Sequence, residues 1–284
     1  MRAANTGLRA LSLVPASDRD VPLIRLPVRA GTFDGIEIPG GHLTRRGGKR
    51  STKRFQAIDH LKICIAGFTI EVPGSAATLD GFRAWATSDQ FPDHGRISFI
   101  NQEILIDMSP EELETHNKVK TAVVNTLFNL NGALDLGELY SDRALLVSSA
   151  AGLATEPDGQ LVKWQTLRTR RAHLVPCQGK PGQFMELHGS PDWVLEIISQ
   201  SSVDKDARDL RTVYHRARVP EYWLIDARGA SISFQILVRR RADYEAVPPQ
   251  GGWYFSPVFG RHFRLERHRS RAGRWQYKLR VRPA

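Results

Sequence analysis

Cysteine is almost absent from this sequence. Only Cys64 and Cys177 occur among 284 residues, and neither belongs to a CxxC pair or to a cluster with histidine. This scarcity argues against a disulfide scaffold and against a structural zinc site. Long apolar runs are also missing, because no segment reaches the length of a transmembrane helix and residues 1–30 lack the compact apolar core of a signal peptide. We therefore expect a cytoplasmic protein that does not enter a membrane.

Acidic residues are scarce at both ends of the chain. Residues 1–57 hold eleven Lys/Arg against four Asp/Glu, and residues 261–284 hold nine against one. The net charge of the whole chain is +10, which is less than the combined charge of the two ends, so the middle of the chain carries a net negative charge. Basic ends around an acidic centre favour a protein that contacts a polyanion with its ends and holds a metal in its centre. The alternative for the basic run at 45–54 is a solvated tail.

Sustained hydrophobic periodicity is missing from residues 1–57, where Gly, Pro and Arg are scattered. This pattern predicts a basic, disordered N-terminal arm. Periodic segments begin after it, so we expect one domain over residues 58–284. Its C-terminal part, with β-like runs and many arginines, is expected to add antiparallel strands as a basic extension.

The clearest helix signal covers residues 109–134. Ser109 can cap this helix and Glu112 completes an S-x-x-E capping box, which accounts for Glu112 without a catalytic role. A contact between Glu112 and a metal-bound water is the alternative. His116, one turn on, is interpreted as a polar-face residue in preference to a phosphate contact. The predicted buried stripe comprises Val119, Val123, Leu127 and Leu130.

A strand, a helix and a second strand follow one another between residues 191 and 226. "PDWVLEIISQSS" at 191–202 and "EYWLID" at 221–226 are strand-like. The helix between them is predicted to bury one stripe, made of Ala207, Leu210, Tyr214 and Ala217. Such a βαβ unit requires parallel strands, so we predict an α/β fold with a mixed sheet flanked by helices. Tyr214, Tyr222 and Trp223 are expected in the core, and Asp226 at a strand end or turn.

Glu196 lies in the middle of the first of these strands, which is apolar on both faces. A buried carboxylate needs a cation, a proton or a metal ion as its partner. Asp158, in "TEPDGQLVKW", stands at the entrance of another predicted strand, although Pro-Asp by itself is most often a turn. Together, two carboxylates and a backbone carbonyl, here that of Ile197, can hold Mg²⁺. A metal so bound can activate water and stabilise charge on a phosphate.

The motifs "EPDG", "PDWVLEIISQSS" and "VPEYWLIDARG" occur in this order and, together, resemble the Uma-type "putative restriction endonuclease" family of the PD-(D/E)XK nuclease superfamily. The similarity covers roughly residues 76–265. The resemblance implies a restriction-endonuclease-like core, a divalent metal (Mg²⁺ or Mn²⁺) and a phosphodiesterase-type site. Asp158 and Glu196 match its two acidic positions.

One position departs from the family pattern, namely the catalytic lysine. The slot two residues after the acid holds Ile198, and the alternative slot, four residues before the tyrosine, holds Leu210. The remaining candidates are Lys205 and Arg211, of which arginine is the poorer proton-handling group. If the helix begins at Ser201 or Ser202, Lys205 points to solvent. The geometry we favour has Asp206 as the cap and Lys205 in the loop, bent back towards Glu196.

The function predicted from these features is Mg²⁺-dependent endonucleolytic hydrolysis of DNA by Asp158, Glu196 and Lys205. Two alternatives remain open. One is a nuclease-derived DNA-binding or interaction module that has lost catalysis with its lysine, and the other is a phosphohydrolase with a small substrate. The sequence leaves the oligomeric state open, and a homodimer is among the assemblies considered.

Overall fold

The computed structural model describes residues 9–12, 23–29, 32–33, 60–65, 68–177, 180–203 and 205–284. The chain divides into two compact units, Met1–Ser109 and Pro110–Ala284. None of the helices in these described ranges has the length and apolarity that crossing a membrane requires.

The first unit contains seven described strands and one α-helix. They are β1 (Arg9–Ser12), β2 (Ile24–Arg29), β3 (Thr32–Phe33), β4 (His60–Ile65), β5 (Phe68–Pro73), α1 (Leu79–Ala86), β6 (Arg96–Ile100) and β7 (Glu103–Asp107). One sheet has the order β1-β4-β5, while β6, β7, β2 and β3 are successive neighbours in another. The β6–β7 hairpin turns at Asn101 and Gln102, both at positive φ.

Strand β2 lies inside the segment that was predicted to be a disordered arm. It pairs antiparallel with β7, with Ile24 opposite Ile106 and Leu26 opposite Ile104. Its alternate residues Ile24, Leu26 and Val28 are buried. Disorder is therefore the wrong prediction for this stretch, because three alternating apolar residues suffice to build a half-buried strand. Apart from strands β1, β2 and β3 and the residue before β2, residues 1–57 lie outside the described part of the chain.

The second unit contains thirteen described strands, three α-helices and two π-helical turns, at Leu113–Asn117 and Lys205–Leu210. The regular elements are α2 (Lys118–Leu134), β8 (Gly137–Ser141), β9 (Leu145–Ser148), β10 (Leu153–Thr155), β11 (Gly159–Lys163), α3 (Trp164–Arg168), β12 (Ala172–Pro176), β13 (Phe184–Gly189), β14 (Trp193–Ile197), α4 (Arg211–Arg216), β15 (Glu221–Asp226), β16 (Ser233–Arg239), β17 (Tyr244–Ala246), β18 (Tyr254–Ser256), β19 (Arg261–Arg269) and β20 (Trp275–Pro283).

The main sheet of this unit has the order β17-β16-β15-β14-β11-β8. It is mixed, because β14 and β15 run parallel while the other pairs are antiparallel. The predicted βαβ unit is thus confirmed, as is the mixed α/β fold class. β14 is buried along its whole length, as expected of a strand with neighbours on both sides and cover on both faces.

Aromatic side chains form the centre of the core. The rings of Trp193, Trp223, Phe259 and Phe263 contact one another with centroids 4.8 to 5.7 Å apart. The predicted stripe of α2 is confirmed, since Val119, Val123 and Leu127 are buried against this cluster and Leu130 is partly buried. Strands β18, β19 and β20 form the expected antiparallel addition. Phe263 and Leu279 bury its inner face.

Candidate active site

Asp158 and Glu196 come together at the antiparallel pairing of β11 with β14. Gly159 is opposite Leu195, so the residue before Gly159 lies beside the residue after Leu195. Both carboxyl groups are almost fully buried, with 1% of Asp158 and 3% of Glu196 exposed. Asp158 Oδ2 accepts a hydrogen bond from the Ile197 amide at 2.9 Å. The predicted trio of Asp158, Glu196 and the Ile197 backbone is therefore contiguous.

The carboxyl group of Glu196 lies in a crowded acidic environment. Burial, followed by the negative charges of Asp206 and Asp158, raises its pKa well above the ordinary glutamate value. Lys205 and the Tyr214 hydroxyl act in the opposite direction. Tyr214 Oη donates to Glu196 Oε1 at 2.5 Å, so this core tyrosine is also part of the site. A further positive charge here would favour the ionised carboxylate.

Lys205 is buried beside these acids. The backbone differs from both predicted geometries, namely a helix that begins at Ser201 or Ser202 and a loop that ends at an Asp206 cap. Lys205 lies within the π-helical turn and not in a loop, yet only 7% of it is exposed. In a π-helical turn the hydrogen bonds join residues five apart, so Lys205 and Leu210 are both buried. The predicted stripe is wrong at Ala207, which is exposed, because that prediction assumed an α-helical repeat.

Asp206 is a site residue that the sequence interpretation considered only as a helix cap. It is 1% exposed, and its Oδ1 lies 3.4 Å from Lys205 Nζ. Burial raises the pKa of Asp206, and the charge of Asp158 adds to this effect. Its backbone is fixed by Tyr222 Oη, which donates to the Asp206 carbonyl at 2.9 Å. A sequence signal for its burial was present, because Asp206 lies four residues before Leu210 and so shares a helical face with it.

Arg211, the other candidate cation, points elsewhere. Its guanidinium donates to Asp243 Oδ2 at 2.8 Å and to the Tyr244 carbonyl at 2.7 Å. Arg211 therefore links α4 to β17, and its guanidinium is directed to that contact instead of to Glu196. The two slots that the family pattern reserves for lysine, Ile198 and Leu210, are both buried apolar positions.

The second π-helical turn brings further charged groups to Asp158. Glu112, and not Ser109, caps this turn, because its carboxylate accepts from the amides of Glu114, at 2.8 Å, and Thr115. The predicted capping box is thus wrong in detail, although a capping role for Glu112 is confirmed. Ser109 instead donates to Asp107.

His116 is buried against Asp158, so its assignment to the polar face is wrong. Its Nδ1 lies 2.9 Å from Glu111 Oε1, and its Nε2 lies 3.4 Å from Asp158 Oδ2. Lys120, one turn further, contacts Glu111 and lies 3.1 Å from Asp142 Oδ2 and 3.9 Å from Asp158 Oδ1. A signal for this network was present, because the 116 and 120 positions share a helical face with the buried valines of α2.

The donor set fits a hard divalent cation. Among the described residues, no three His, Cys, Asp or Glu side chains are grouped to hold a metal ion by themselves. Mg²⁺ does not need such a group, since it is commonly bound by one or two carboxylates together with waters and substrate phosphate. The adjoining carboxyl groups of Asp158 and Glu196 are oxygen donors of this type, and Asp206 adds a third acidic group near Glu196.

The remaining sequence predictions concern residues beside the site. Tyr222 and Trp223 are fully buried, which confirms their place in the core. Asp226 ends β15, where its carboxylate accepts from the backbone and guanidinium of Arg228. This confirms the turn role that was predicted for Asp226.

A solved structure and a family profile match this chain. The chain is similar to a crystal structure described as "a putative nuclease belonging to DUF820 from Anabaena variabilis ATCC 29413", at 16% identity and a TM-score of 0.47, over 64% of this chain and 90% of that chain. The search of curated proteins gave no match. The family profile matches residues 79–266, more than half of the chain, in agreement with the resemblance in the motifs. The chain therefore belongs to the family described as "Uma2: Putative restriction endonuclease".

Proposed function

We propose that this protein hydrolyses phosphodiester bonds in DNA with a divalent metal, Mg²⁺ or Mn²⁺, held by Asp158, Glu196 and the Ile197 carbonyl. The observation that carries the proposal is the burial of two acidic side chains on adjoining strands with Lys205 beside them. Keeping two neighbouring carboxyl groups buried is costly in desolvation and repulsion, and a bound cation offsets that cost.

The chain's own residues hold and orient the groups that react. The Ile197 amide orients the Asp158 carboxylate, and the Tyr214 hydroxyl orients that of Glu196. Lys205 supplies positive charge where charge develops on the phosphate in the transition state. When bound, a divalent metal would lower the pKa of a water molecule and polarise the phosphoryl oxygen.

Cleavage of supercoiled plasmid, with Mg²⁺ or with EDTA, tests this proposal. We expect nicking or linearisation only with metal, and loss of that activity in Asp158→Asn and Glu196→Gln. Calorimetry with Mn²⁺ should show weakened metal binding in both variants. Asp243→Asn, which removes an exposed carboxylate outside the cluster of buried acids, is the matched control and should cut normally. If both site variants bind Mn²⁺ as well as wild type does, the metal site has to be abandoned.

A second function, a catalytically inactive DNA-binding or interaction module, is favoured by one observation. Leucine occupies the slot that the family pattern gives to lysine, and it is fully buried. Under this alternative the wild type binds DNA and metal but never cuts. A small-substrate phosphohydrolase would instead cleave bis(p-nitrophenyl) phosphate and leave plasmid intact, so the same pair of assays separates all three functions.

A further inference from the structure

The outward face of the β19–β20 hairpin, which we call the hairpin face, is strongly basic. Side chains alternate across a strand, and the inward positions are Phe263, Leu265, Leu279 and Val281. The outward cross-strand pairs are therefore His262 with Arg282, Arg264 with Arg280, Glu266 with Lys278, and His268 with Gln276. Four Lys/Arg side chains and two histidines accompany a single acid on this face.

That single acid neutralises only part of the hairpin face. Glu266 pairs with Arg264 and, at 3.0 Å, with Arg280. Among the described residues, Lys278 and Arg282 have no acidic partner within ion-pair distance, and both are exposed. Neither charge is therefore neutralised by an acid of the described residues, and both are available to an anionic ligand.

An aromatic ring supports two of these cations. The guanidinium carbons of Arg264 and Arg282 lie 4.8 and 4.5 Å from the centre of the Trp253 ring. Such stacking stabilises a guanidinium while its in-plane N–H donors stay able to bind an anion. Basic residues interleaved with an aromatic ring are typical of surfaces that bind nucleic acid.

The hairpin is also joined to the candidate active site. Lys118 Nζ donates to the Trp275 carbonyl at 3.1 Å, and the Trp275 amide donates to Glu114 Oε2 at 3.1 Å. Glu114 belongs to the π-helical turn that carries His116 to Asp158. The first residue of β20 is thus bonded to the turn that forms one side of the site.

We propose that the hairpin face docks the phosphate backbone of duplex DNA beside the site. The inference rests on the proposed function for the identity of its ligand. Lys278 and Arg282 are about 13 Å apart along an extended strand, a length over which B-DNA presents about eight phosphate charges. Basic side chains on a terminal strand such as β20 also prevent edge-to-edge aggregation. That role requires no affinity for DNA, so the two roles make different predictions.

Fluorescence anisotropy of a labelled duplex of about 30 base pairs, with the full chain in EDTA to prevent cleavage, measures the docking. Lys278→Gln/Arg282→Gln should lose at least about tenfold in affinity, and its slope of log K against log salt should fall by about 2, since each phosphate contact contributes about 0.9. Arg168→Gln/Arg241→Gln removes two exposed arginines outside the hairpin and should match wild type. Thermal melting of both variants verifies that they are folded.

The outcomes separate this inference from the proposed function. If the hairpin variant binds the duplex as tightly as the control does, the hairpin face is not the docking surface, even where plasmid cleavage proves the nuclease function. If the hairpin variant loses affinity but wild type cuts no plasmid with Mg²⁺ or Mn²⁺, docking stands and the proposed function fails. Tighter binding of wild type to single-stranded RNA or to phosphatidylserine vesicles than to the duplex would overturn the assignment of the ligand.

Discussion

At the scale of single residues, Lys205 supplies the cation of the candidate site, while Leu210 occupies the position where the family pattern has lysine. The family pattern places lysine at the position of Leu210, and this chain instead buries a lysine five residues earlier. Because the turn between them is π-helical, both residues are on its buried side. Lys205 thereby lies close enough to Glu196 to oppose the rise in that residue's pKa.

Replacement of this lysine should be costly for activity. Lys205→Ala is expected to lower the plasmid cleavage rate at least about a hundredfold, the usual effect of removing one group that stabilises transition-state charge. Mn²⁺ affinity measured by calorimetry should be spared. Arg208→Ala, on the exposed side of the same turn, is the matched control. A fully active Lys205→Ala enzyme would reject the catalytic role, and partial rescue by Leu210→Lys in that background would support it.

Glu221 is a second buried carboxyl residue of the main sheet, and it serves the fold. Ser256 Oγ and Trp223 Nε1 each donate to its Oε1 at 2.6 Å, and the Val258 amide donates to Oε2 at 3.1 Å. Burial raises its pKa to about 7, although these hydrogen bonds and the charge of Lys163 counteract the rise. The carboxyl group thus ties β15 to the end of β18 and to the residues that follow it.

This raised pKa makes the stability of the protein depend on pH. The folded state holds the Glu221 proton more tightly than the unfolded chain, so the stabilisation is complete below pH 4.5 and is lost as pH rises to about 7. The contribution is on the order of 3 kcal/mol. Urea unfolding at several pH values between about 5 and 8 should show a smaller decline in unfolding free energy for Glu221→Gln than for wild type. Equal declines would contradict the pKa shift.

At the scale of elements, the sequence determines the regular strands and α-helices better than it determines the π-helical turns. The β14–α4–β15 unit and the α2 stripe were predictable, because apolar periodicity and burial agree there. The two π-helical turns were not predictable, because the pattern was interpreted at an α-helical repeat. Both turns carry site residues, and the turn at Lys205–Leu210 accounts for the error at Ala207. Functional sites are a common location for π-turns.

Strand β2 provides a test of whether the N-terminal segment is part of the folded unit. Leu26 is fully buried on β2, so Leu26→Ala should lower the unfolding free energy by about 2–5 kcal/mol. Arg25→Ala on the same strand removes only a partly exposed ion pair with Glu103 and should cost about 0–1 kcal/mol. Urea unfolding of both variants measures the difference. An unchanged Leu26→Ala protein would show that β2 adds nothing to stability.

Across the whole molecule, the distribution of charge along the chain suits the proposed DNA substrate, which is a polyanion. Both ends of the chain are basic and the middle is acidic. The C-terminal end presents its charge on a folded hairpin. The basic run at 45–54 lies outside the described residues, and its role as a DNA-binding arm is a proposal.

That proposal predicts a purely electrostatic effect. Replacing the six Lys/Arg residues of 45–54 by serine should weaken duplex binding and lower the salt slope by up to about 5, if every cation meets a phosphate. Anisotropy titrations between low and physiological salt measure both quantities. The same charge change combined with Lys278→Gln/Arg282→Gln should be additive if the two ends contact separate phosphates. If the slope of log K against log salt did not change, residues 45–54 would have no part in DNA binding.

The π-helical turn at Lys205–Leu210 also makes the candidate site sensitive to the deletion of a single residue. Such a turn holds one residue more than an α-helical turn. Deleting the single codon for the exposed Ala207 would let the turn close as an α-helix while Tyr214 stays beside Glu196. Lys205 and Asp206, the turn residues just before the deletion, would then rotate by about 100° relative to α4. Lys205 would then move away from Glu196 although every residue of the proposed site is still encoded, so we expect a one-codon deletion to abolish the proposed cleavage while the fold persists.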